Sequence, residues 1–445
     1  MNARVGNGPR KKVQRVMTRW VGARRLVAQR LVVRRLVVQR LVTLLAAGLL
    51  AAALSACTGT KEPQPPTLLV VGVEDRSAPP AVPQLLLVED VTATAPVGDP
   101  RLRVVPGSRR ALLAPAVAID FEERDGARDA AWVLTRAIDA SGPTPVVTAH
   151  LQRFEVADVD PAAPTAFAED AAALVTLTDP GGTGVLDGVS DSSPATCPTA
   201  LQVSRSGSHA VILDDPEACG LTDHPELWLV DTGSGDAMTL EGTNDVLPLP
   251  PYANQNPSNE RVVFLVAGIG SAHVYQDAFD GASSRVQTLA FGTDLITDVA
   301  GSGALLFALT GTELRSLDLS DPAAEEVRAD TRGSADRLAT DPSGVVTQVL
   351  VVADEGMSVH QDREDEQPDN VLYGAAGATI DPGTRFAYAV AEERIVILDL
   401  LTGGDSGDAL RALPVTLPEV TLPSVADAEI GVIAWIRALP PVATP

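Results

Sequence analysis

An apolar strand that ends in Asp recurs along the chain, usually followed by residues typical of turns. Its copies end at Asp90, Asp139, Asp179, Asp231, Asp277, Asp318, Asp362 and Asp399. Successive copies are 37 to 52 residues apart, and most follow a Gly-containing turn and a second apolar strand, as in DPG before TRFAYAVAEE. A four-stranded unit that repeats about every 40–50 residues predicts the blade of a β-propeller.

The ends of the chain determine the predicted number of blades. The copies from Asp139 to Asp399 give seven units, and strand-like segments remain at 67–74, 84–90 and 428–438. Pairing these segments in one shared blade would bury strand edges that otherwise favour aggregation. We therefore expect an all-β fold, a single propeller of eight blades closed by the N- and C-terminal strands. Seven blades follow if the weak unit at 153–189 is an insertion, and a pair of β-sandwiches is the alternative fold.

The segment at 380–403, IDPGTRFAYAVAEERIVILDLLTG, resembles the YVTN-type and related WD-like propeller repeat. Pro382, Gly383, Tyr388 and residues 395–403 carry the likeness, and LWLVDTGSG at 227–235 is similar. The paired Gly-His and Trp-Asp signature of true WD repeats is missing. The resemblance therefore implies a propeller architecture for most of residues 100–440 and implies no activity.

A 13-residue apolar run from Leu41 to Ala53 is followed by Leu-Ser-Ala-Cys, which ends at Cys57. The run is shorter than the roughly 20 residues of a membrane span and fits the core of a signal peptide; a buried helix is the alternative. The ending resembles the lipobox of bacterial lipoprotein signal peptides. This resemblance implies removal of residues 1–56, acylation of Cys57, a tether at 57–66 and a body at 67–445. The body would then lie on the extracytoplasmic side of the cell envelope, anchored to the outer or cytoplasmic membrane, and Met17 is an alternative start.

The charge of the body limits its partners. Residues 1–56 contain 12 of the 34 Lys and Arg residues and none of the 58 acids, which leaves 22 cations against 58 acids, a formal charge of −36. Such a surface repels phosphate backbones, so nucleic acid is not expected as a partner. Lys61 is the only lysine after residue 56, which excludes Schiff-base and phosphate-loop lysines from the body. A basic protein or a cation is the expected complement.

Two cysteines besides Cys57 are present, Cys197 and Cys219. An even pair in an exported protein favours a disulfide, which would add about 3 kcal/mol to the free energy of unfolding in the chain-entropy model. Two separate buried thiols are the alternative, because the sequence does not supply the distance between them.

The sequence contains no Gly-x-Ser-x-Gly elbow, no His-Glu-x-x-His motif and no dinucleotide-binding glycine fingerprint, and it predicts no catalytic residue, metal or cofactor. The repeating Asp is interpreted as an acceptor for the backbone of its own turn. Two acidic stretches, 120–129 and 214–225, are predicted to be long loops that share one face. Their candidate binding residues are Asp120, Asp129, Asp214, Asp215, Asp223 and His224.

These features predict a membrane-tethered envelope lipoprotein whose propeller acts as a non-catalytic scaffold or protein-binding module. The alternative is a propeller hydrolase or lactonase with a carboxylate–metal site in the central channel. Propeller enzymes assemble such sites from scattered residues, which sequence motifs do not reveal.

Overall fold

The computed structural model of the chain divides into two compact units, Met1–Pro63 and Gln64–Pro445. The structure describes residues 67–76, 80–90, 102–124, 127–187, 196–222 and 225–241. It further describes 252–254, 261–266, 271–276, 284–290, 296–302, 305–310, 313–318, 327–330, 337–340, 348–353, 356–361, 369–371, 377–381, 386–391, 394–399, 413–415 and 428–438. All of these residues belong to the second unit.

The described residues form seven antiparallel sheets. Sheet 1 contains β1 (Thr67–Asp75), β2 (Val82–Asp90), β3 (Leu102–Val104), β4 (Arg110–Ala111) and β29 (Ala428–Ala438). Sheet 2 contains β5 (Ala116–Arg124), β6 (Ala127–Asp139), β7 (Val146–Glu155) and β8 (Val175–Thr178). Sheet 3 contains β9 (Pro198–Val203), β10 (His209–Asp214), β11 (Glu226–Asp231) and β12 (Ala237–Glu241).

The four other sheets have the same composition of four consecutive strands. Sheet 4 contains β13 (Tyr252–Asn254), β14 (Arg261–Val266), β15 (Ser271–Gln276) and β16 (Ser284–Ala290). Sheet 5 contains β17 (Asp298–Ser302), β18 (Leu305–Thr310), β19 (Glu313–Asp318) and β20 (Val327–Asp330). Sheet 6 contains β21 (Arg337–Thr340), β22 (Gln348–Ala353), β23 (Gly356–Gln361) and β24 (Asp369–Val371). Sheet 7 contains β25 (Gly377–Ile380), β26 (Phe386–Ala391), β27 (Arg394–Asp399) and β28 (Leu413–Val415).

Short 3-10 turns accompany these strands at Pro164–Ala166, Ala171–Ala173 and Pro216–Cys219. The prediction of an all-β body is confirmed. The second strand of a sheet tends to read as one apolar run, such as LLVV in β1 or AVIL in β10, and these residues are buried. A strand buried on both faces has this pattern because neighbouring sheets cover each side of it.

Neighbouring sheets pack through one edge strand of each sheet. We call it the first strand: it is β29 in sheet 1 and the earliest strand in chain order in each of the sheets 2 to 7. β5 contacts β29 and β9, β13 contacts β9 and β17, β21 contacts β17 and β25, and β25 also contacts β29. Apolar clusters fill the space between sheets, and one of them joins sheets 7 and 1 through Tyr388, Ile397, Leu69 and Leu86. Burying one such aliphatic side chain stabilises the fold by roughly 1.5–3 kcal/mol.

The two ends of the described chain pair within sheet 1. β1 runs antiparallel to β29 from Thr67 opposite Ala438 to Asp75 opposite Ala428, and β2 lies on its other side. Gly72 of β1 lies where sheets 1 and 2 approach closely, since a Cβ there would be 2.7 Å from Cβ of Ala116. Ring closure through these strands requires this pairing, and closure itself stays a prediction.

The seven sheets number one fewer than the eight blades expected, and they equal the alternative count. The difference comes from sheet 2, which contains two Asp-ended copies. Asp139 ends the second strand of that sheet and Asp179 follows its fourth strand, whereas Asp90, Asp231, Asp318 and Asp399 end third strands. Because Asp favours a turn after any strand, the pattern alone does not identify the position of a strand within its sheet.

The turn-stabilising role predicted for the repeating Asp is confirmed at three described copies. Oδ1 of Asp231 accepts the backbone N–H groups of Gly233 and Ser234, both at 2.8 Å. Asp139 accepts the N–H of Ser141 at 2.9 Å, and Asp179 accepts that of Gly181 at 2.6 Å. In each case the carboxylate satisfies backbone donors that the turn leaves without a strand partner.

Candidate functional site at the junction of sheets 2 and 3

Four of the six candidate binding residues lie in sheets 2 and 3 or directly after a strand of sheet 3, and three of them, Asp120, Asp214 and Asp215, lie near the junction of these sheets. The other two, Asp223 and His224, lie outside the described residues, as does Cys57. At this junction we distinguish two ends of the sheets. The turn end is where the first strand of each sheet leads into the second, and the loop end is where the second leads into the third.

The predicted disulfide is confirmed: Cys197 and Cys219 are bonded, with their Cα atoms 6.0 Å apart. Cys197 immediately precedes β9, and Cys219 closes the 3-10 turn Pro216–Cys219 at the loop end of sheet 3. Val147 of sheet 2 belongs to the same buried apolar cluster as the two cysteines. The bridge therefore ties the start of the first strand of sheet 3 to the loop that follows its second strand.

Asp214 and Asp215 support this bridge rather than lying free in a loop. Asp214 is the last residue of β10, is buried, and its Oδ1 accepts the N–H of Cys197. The N–H of Asp215 donates to the carbonyl of Cys197 at 2.9 Å. Arg136 of sheet 2 completes the group, with Nη1 3.1 Å from Sγ of Cys197 and 3.0 Å from the carbonyl oxygen of Pro198. Burial lowers the pKa of Arg136, and the charges of Asp215 and Asp214 partly oppose that shift.

The prediction of a loop at 120–129 is wrong. Asp120 lies in β5 and Asp129 lies in β6, and residues 116–124 pair with 127–135 across the two strands. The carbonyl of Asp129 accepts the N–H groups of Val156 and Ala157, both at 3.0 Å. Acidic residues gave this stretch the composition of a loop, but pairing on both strands and burial of Phe121 hold it in the sheet.

Asp120 connects the two sheets through its carboxylate. Its Oδ2 accepts Nε2 of Gln202 and the backbone N–H of Val203, both at 2.6 Å, from the first strand of sheet 3. Asp120 keeps a partly exposed surface. Burial of the carboxylate between the two sheets nevertheless raises the pKa of Asp120 to about 7. Desolvation of the charged form outweighs the opposing effects of the backbone N–H groups of Val203 and Phe121 and of the charge of Arg128.

The two acidic stretches do not share a face, contrary to the prediction. The N–H of Glu123 donates to the carbonyl of Arg205 at 2.8 Å, which places the end of β5 beside the turn between β9 and β10. Asp214 and Asp215 lie at the opposite end of β10, beside Arg136. Antiparallel strands explain the separation, since the turns before and after one strand must lie at its two ends.

A buried ion-pair cluster near the turn end was missed by sequence reasoning. Arg153 of β7 pairs with Glu122 of β5, and Nε1 of Trp132 donates to Oε2 of Glu122 at 3.1 Å. Arg153 also lies 3.3 Å from Asp170, and its hydrogen bond to Glu122 raises the pKa of Arg153 above its ordinary range. Gly207 of the neighbouring sheet has a φ of 70° and lies against Glu122, where a Cβ would overlap the carboxylate. The sequence signal that could have predicted this ion pair is the presence of charged residues among the apolar residues of two strands, Glu122 in β5 and Arg153 in β7.

Sheets 5 and 6 are joined in the same manner as sheets 2 and 3. Oδ2 of Asp298, the first residue of β17, accepts the N–H of Leu338 at 2.7 Å. Thr340 returns a hydrogen bond to the carbonyl of Gly301 at 2.5 Å. We call this arrangement, a first-strand carboxylate bonded to the backbone of the next first strand, an inter-sheet latch. The described residues show this arrangement at Asp120 and at Asp298.

Solved structures that are similar to this chain include two lactonases, whereas no family model and no curated protein matches it. The periplasmic gluconolactonase PpgL of Pseudomonas aeruginosa is 11% identical with a TM-score of 0.55, and 84% of this chain covers all of it. A putative 6-phosphogluconolactonase from Bacteroides uniformis is 10% identical with a TM-score of 0.53, again with 84% and 100% coverage. At this identity the likeness concerns the fold alone.

The fold is a β-propeller. Within the part of the chain that the structure describes, no group of three or more His, Cys, Asp and Glu side chains is placed to hold a metal ion. The same residues include no helix long and apolar enough to cross a bilayer.

One surface turn of the propeller brings together the residue types of a nucleophilic triad. Oγ of Ser208 lies 2.9 Å from Nδ1 of His209, and Nε2 of His209 lies 3.7 Å from Oδ2 of Asp231. The second distance is too long for a hydrogen bond, and Oδ1 of Asp231 already accepts two backbone N–H groups. A triad requires both contacts, and the structure contains only the one between Ser208 and His209.

Proposed function

We propose that the chain is a lipid-anchored protein of the bacterial cell envelope whose propeller binds a protein partner without catalysing a reaction. The anchor part of the proposal depends on the signal-peptide pattern before Cys57. The binding part depends on two observations. Carboxylates of the first strands bond to the neighbouring sheet, and the body has a large negative formal charge.

The inter-sheet latches carry the proposal. A catalytic propeller needs side chains that converge on a reacting atom. Asp120 and Asp298 instead bond to the backbone of a neighbouring sheet. Glu122 is likewise taken up by Arg153 and Trp132. Carboxylates used in this way fix the sheets relative to one another, which suits a rigid body that presents its surface.

The expected partner is basic. After removal of residues 1–56 the formal charge would be −36, and association with a cationic surface would be accelerated at low salt. At the loop end of sheets 2 and 3, Asp139 and Glu217 are exposed and Asp215 is half-buried. The disulfide and Arg136 hold this acidic region in place, so a partner would bind it with little loss of conformational entropy.

A hydrolase or lactonase is the second candidate. The similar solved structures are named as a gluconolactonase and a putative 6-phosphogluconolactonase. A pKa of about 7 on the first strand of sheet 2 would also suit Asp120 as a general base. This candidate requires that substrate reach Asp120 despite its bonds to Gln202 and Val203.

Two assays separate the two functions, the first on the full-length protein in intact cells and the second on the same protein purified in detergent. Chemical crosslinking in intact cells should yield one recurring basic protein attached near residues 139 and 217. The yield should fall severalfold in the Asp139→Asn/Glu217→Gln variant and be unchanged in Asp158→Asn, another exposed acid. Titration of acid release from glucono-1,5-lactone and its 6-phosphate should show no turnover above buffer.

The opposite results favour the second candidate. Turnover that is lost in Asp120→Asn, together with crosslinks that the charge variants do not alter, would overturn the binding proposal. The anchor is tested separately by metabolic labelling with a fatty acid, which should mark the wild type and not Cys57→Ala. Equal labelling of both proteins would reject lipidation without affecting the binding test.

A further inference from the structure

The two sulfur atoms of the Cys197–Cys219 bridge have different surroundings. Cys197 has no exposed surface and its backbone is bonded on both sides, to Asp214 and to Asp215. Cys219 is 5% exposed and ends a surface turn whose neighbouring residues Ala218 and Gly220 are exposed. Of the two cysteines of the bridge, Cys219 is therefore the one that lies nearer to solvent.

A cation contacts only the inner sulfur in the described structure. Nη1 of Arg136 donates to Sγ of Cys197 at 3.1 Å, and the same group is held by the carbonyl of Pro198 at 3.0 Å. A guanidinium at this distance stabilises a thiolate and so makes the sulfur a better leaving group. Arg136 belongs to sheet 2, so the neighbouring sheet supplies the charge that distinguishes the two sulfurs of sheet 3.

We propose that Cys219 is a modification site at which a small thiol forms a mixed disulfide, with Cys197 as the leaving sulfur and Arg136 as the residue that stabilises it. The thiolate of the small molecule attacks Sγ of Cys219 and forms a new S–S bond. The bond between Cys219 and Cys197 breaks, and its electron pair leaves on Cys197 as a thiolate beside Arg136. One disulfide is consumed and one is formed, so no external oxidant is required.

The charges around Cys219 select the class of thiol. Glu217 is exposed two residues before Cys219, and Asp215 is half-buried two residues before that. These carboxylates repel anionic thiols and attract cationic ones, an effect that added salt should screen. The site therefore favours a cationic aminothiol over a carboxylate-bearing thiol. The inference goes beyond partner binding and does not require it.

The adduct also has a structural consequence. The bridge ties the turn Pro216–Cys219 to the start of β9, and Arg136 joins that position to sheet 2. When the bridge opens, Asp214 and Asp215 still bond to the backbone of Cys197, whereas the turn loses its covalent tie. We expect the loop after β10 to become accessible to protease while the sheets stay folded.

The test uses the full-length protein in detergent with two monothiols, cysteamine and 3-mercaptopropionate. After a short incubation, free thiols are blocked with iodoacetamide and the peptides are mapped by mass spectrometry. We expect cysteamine on Cys219 and the blocking group on Cys197. Cysteamine should react severalfold faster than 3-mercaptopropionate at low salt, and Glu217→Gln should reduce that ratio.

Arg136 variants test the assigned leaving group. Arg136→Gln should slow adduct formation severalfold, because a leaving thiol that has lost the neighbouring guanidinium has a higher pKa and leaves more slowly. Arg136→Lys should retain most of the wild-type rate, and Arg109→Gln, an exposed Arg near sheet 1, serves as the control. Cysteamine on Cys197, or an even division between the cysteines, would overturn the proposal even if the Gln variant proved unstable. Equal rates in the wild type and a stable Arg136→Gln variant would also overturn it.

Discussion

Two junctions between neighbouring sheets use carboxylates in opposite ways. Where sheets 7 and 1 meet, Thr67 donates to Oδ2 of Asp381 at 2.5 Å and Tyr388 donates to Oδ2 of Asp90 at 2.8 Å, and all four residues are buried. We call these four residues the clasp. Where sheets 2 and 3 meet, the latch of Asp120 bonds to Gln202 and Val203 and stays partly exposed.

Chain connectivity explains the difference. The partners in the clasp are 314 and 298 residues apart in sequence, whereas Asp120 and Val203 are 83 apart. No short connection keeps residues so far apart in sequence close to one another, so the contacts themselves must do so. Buried side-chain pairs are stronger than exposed ones because water does not compete for them. Burial, followed by the charges of Asp90 and Asp381, raises the pKa of Tyr388 well above its ordinary value, so the phenol keeps its proton as a donor.

Deleting residues 67–90 should break the clasp completely and produce the largest effect. The deletion removes β1 and β2, leaves β29 without its described partner and removes Thr67 and Asp90 together. Exposed strand edges should then cause aggregation or a melting temperature lower by more than about 10 °C. Size-exclusion chromatography and calorimetry measure both outcomes. A monomer with unchanged melting temperature would contradict ring closure by the terminal strands.

Tyr388→Phe should weaken the clasp while keeping its packing. The substitution removes one hydroxyl and leaves Asp90 without that donor in a buried site, at a cost of about 1–3 kcal/mol in the free energy of unfolding. Urea denaturation of the wild type, Tyr388→Phe, Asp90→Asn and the double variant measures the coupling between the two side chains. A coupling energy near zero would show that the hydrogen bond does not hold the clasp.

Asp120→Asn should mainly change how the free energy of unfolding depends on pH. Because the folded pKa of Asp120, about 7, lies above the unfolded value near 4, the folded state binds the additional proton between these values. Its contribution is complete below about pH 4 and is lost as the pH rises to about 7. The difference in unfolding free energy between wild type and Asp120→Asn should therefore change across this interval and be constant above it.

The matched control for this pH profile is Asp298→Asn, the other latch. Its carboxylate accepts a backbone N–H in the same way, from Leu338. If both variants gave the same profile, the pH effect would belong to latches in general rather than to the surroundings of Asp120. A constant difference between wild type and Asp120→Asn over pH 4–8 would contradict the raised pKa.

The sequence allowed the fold class to be predicted because strand spacing and turn chemistry are local properties. Periods of about 40–50 residues and buried apolar runs such as LLVV in β1 reflect packing between sheets. The number of sheets was harder to predict, because two copies of the Asp-ended strand belong to one sheet: Asp139 ends β6 and Asp179 follows β8, both in sheet 2. The turns they stabilise have the same local chemistry, and only pairing over long distances distinguishes a second strand from a third.

The candidate site was predicted less well than the fold. The disulfide followed from the cysteine count, but the latches depend on residues that meet only after folding, such as Asp120 with Val203. Acidic composition at 120–129 suggested a loop. Alternation nevertheless placed Asp120 and Glu122 on one side of β5, where Gln202 donates a hydrogen bond to Asp120 and Arg153 forms an ion pair with Glu122. Composition cannot separate a solvated carboxylate from one that bonds to another sheet.

Asp231→Ala should cause the smallest loss in the free energy of unfolding. It compares a buried and a partly exposed carboxylate at the same position of the repeat. Asp90 and Asp231 both end third strands, but Asp90 is buried in the clasp while Asp231 is partly exposed and bonds to its own turn. Water can replace much of what Asp231 provides, so the loss should be about 0.5–1 kcal/mol. Asp231→Asn, which keeps an acceptor oxygen, should be nearly neutral.

Hydrogen bonds to Ser234 and Gly233 lower the pKa of Asp231, so its contribution should be present above about pH 4 and decrease as the pH falls further. Urea denaturation of both variants at pH 7 and pH 3 measures these differences. A loss as large as that of Asp90→Asn would mean that the position in the repeat, rather than burial, sets the contribution of the carboxylate.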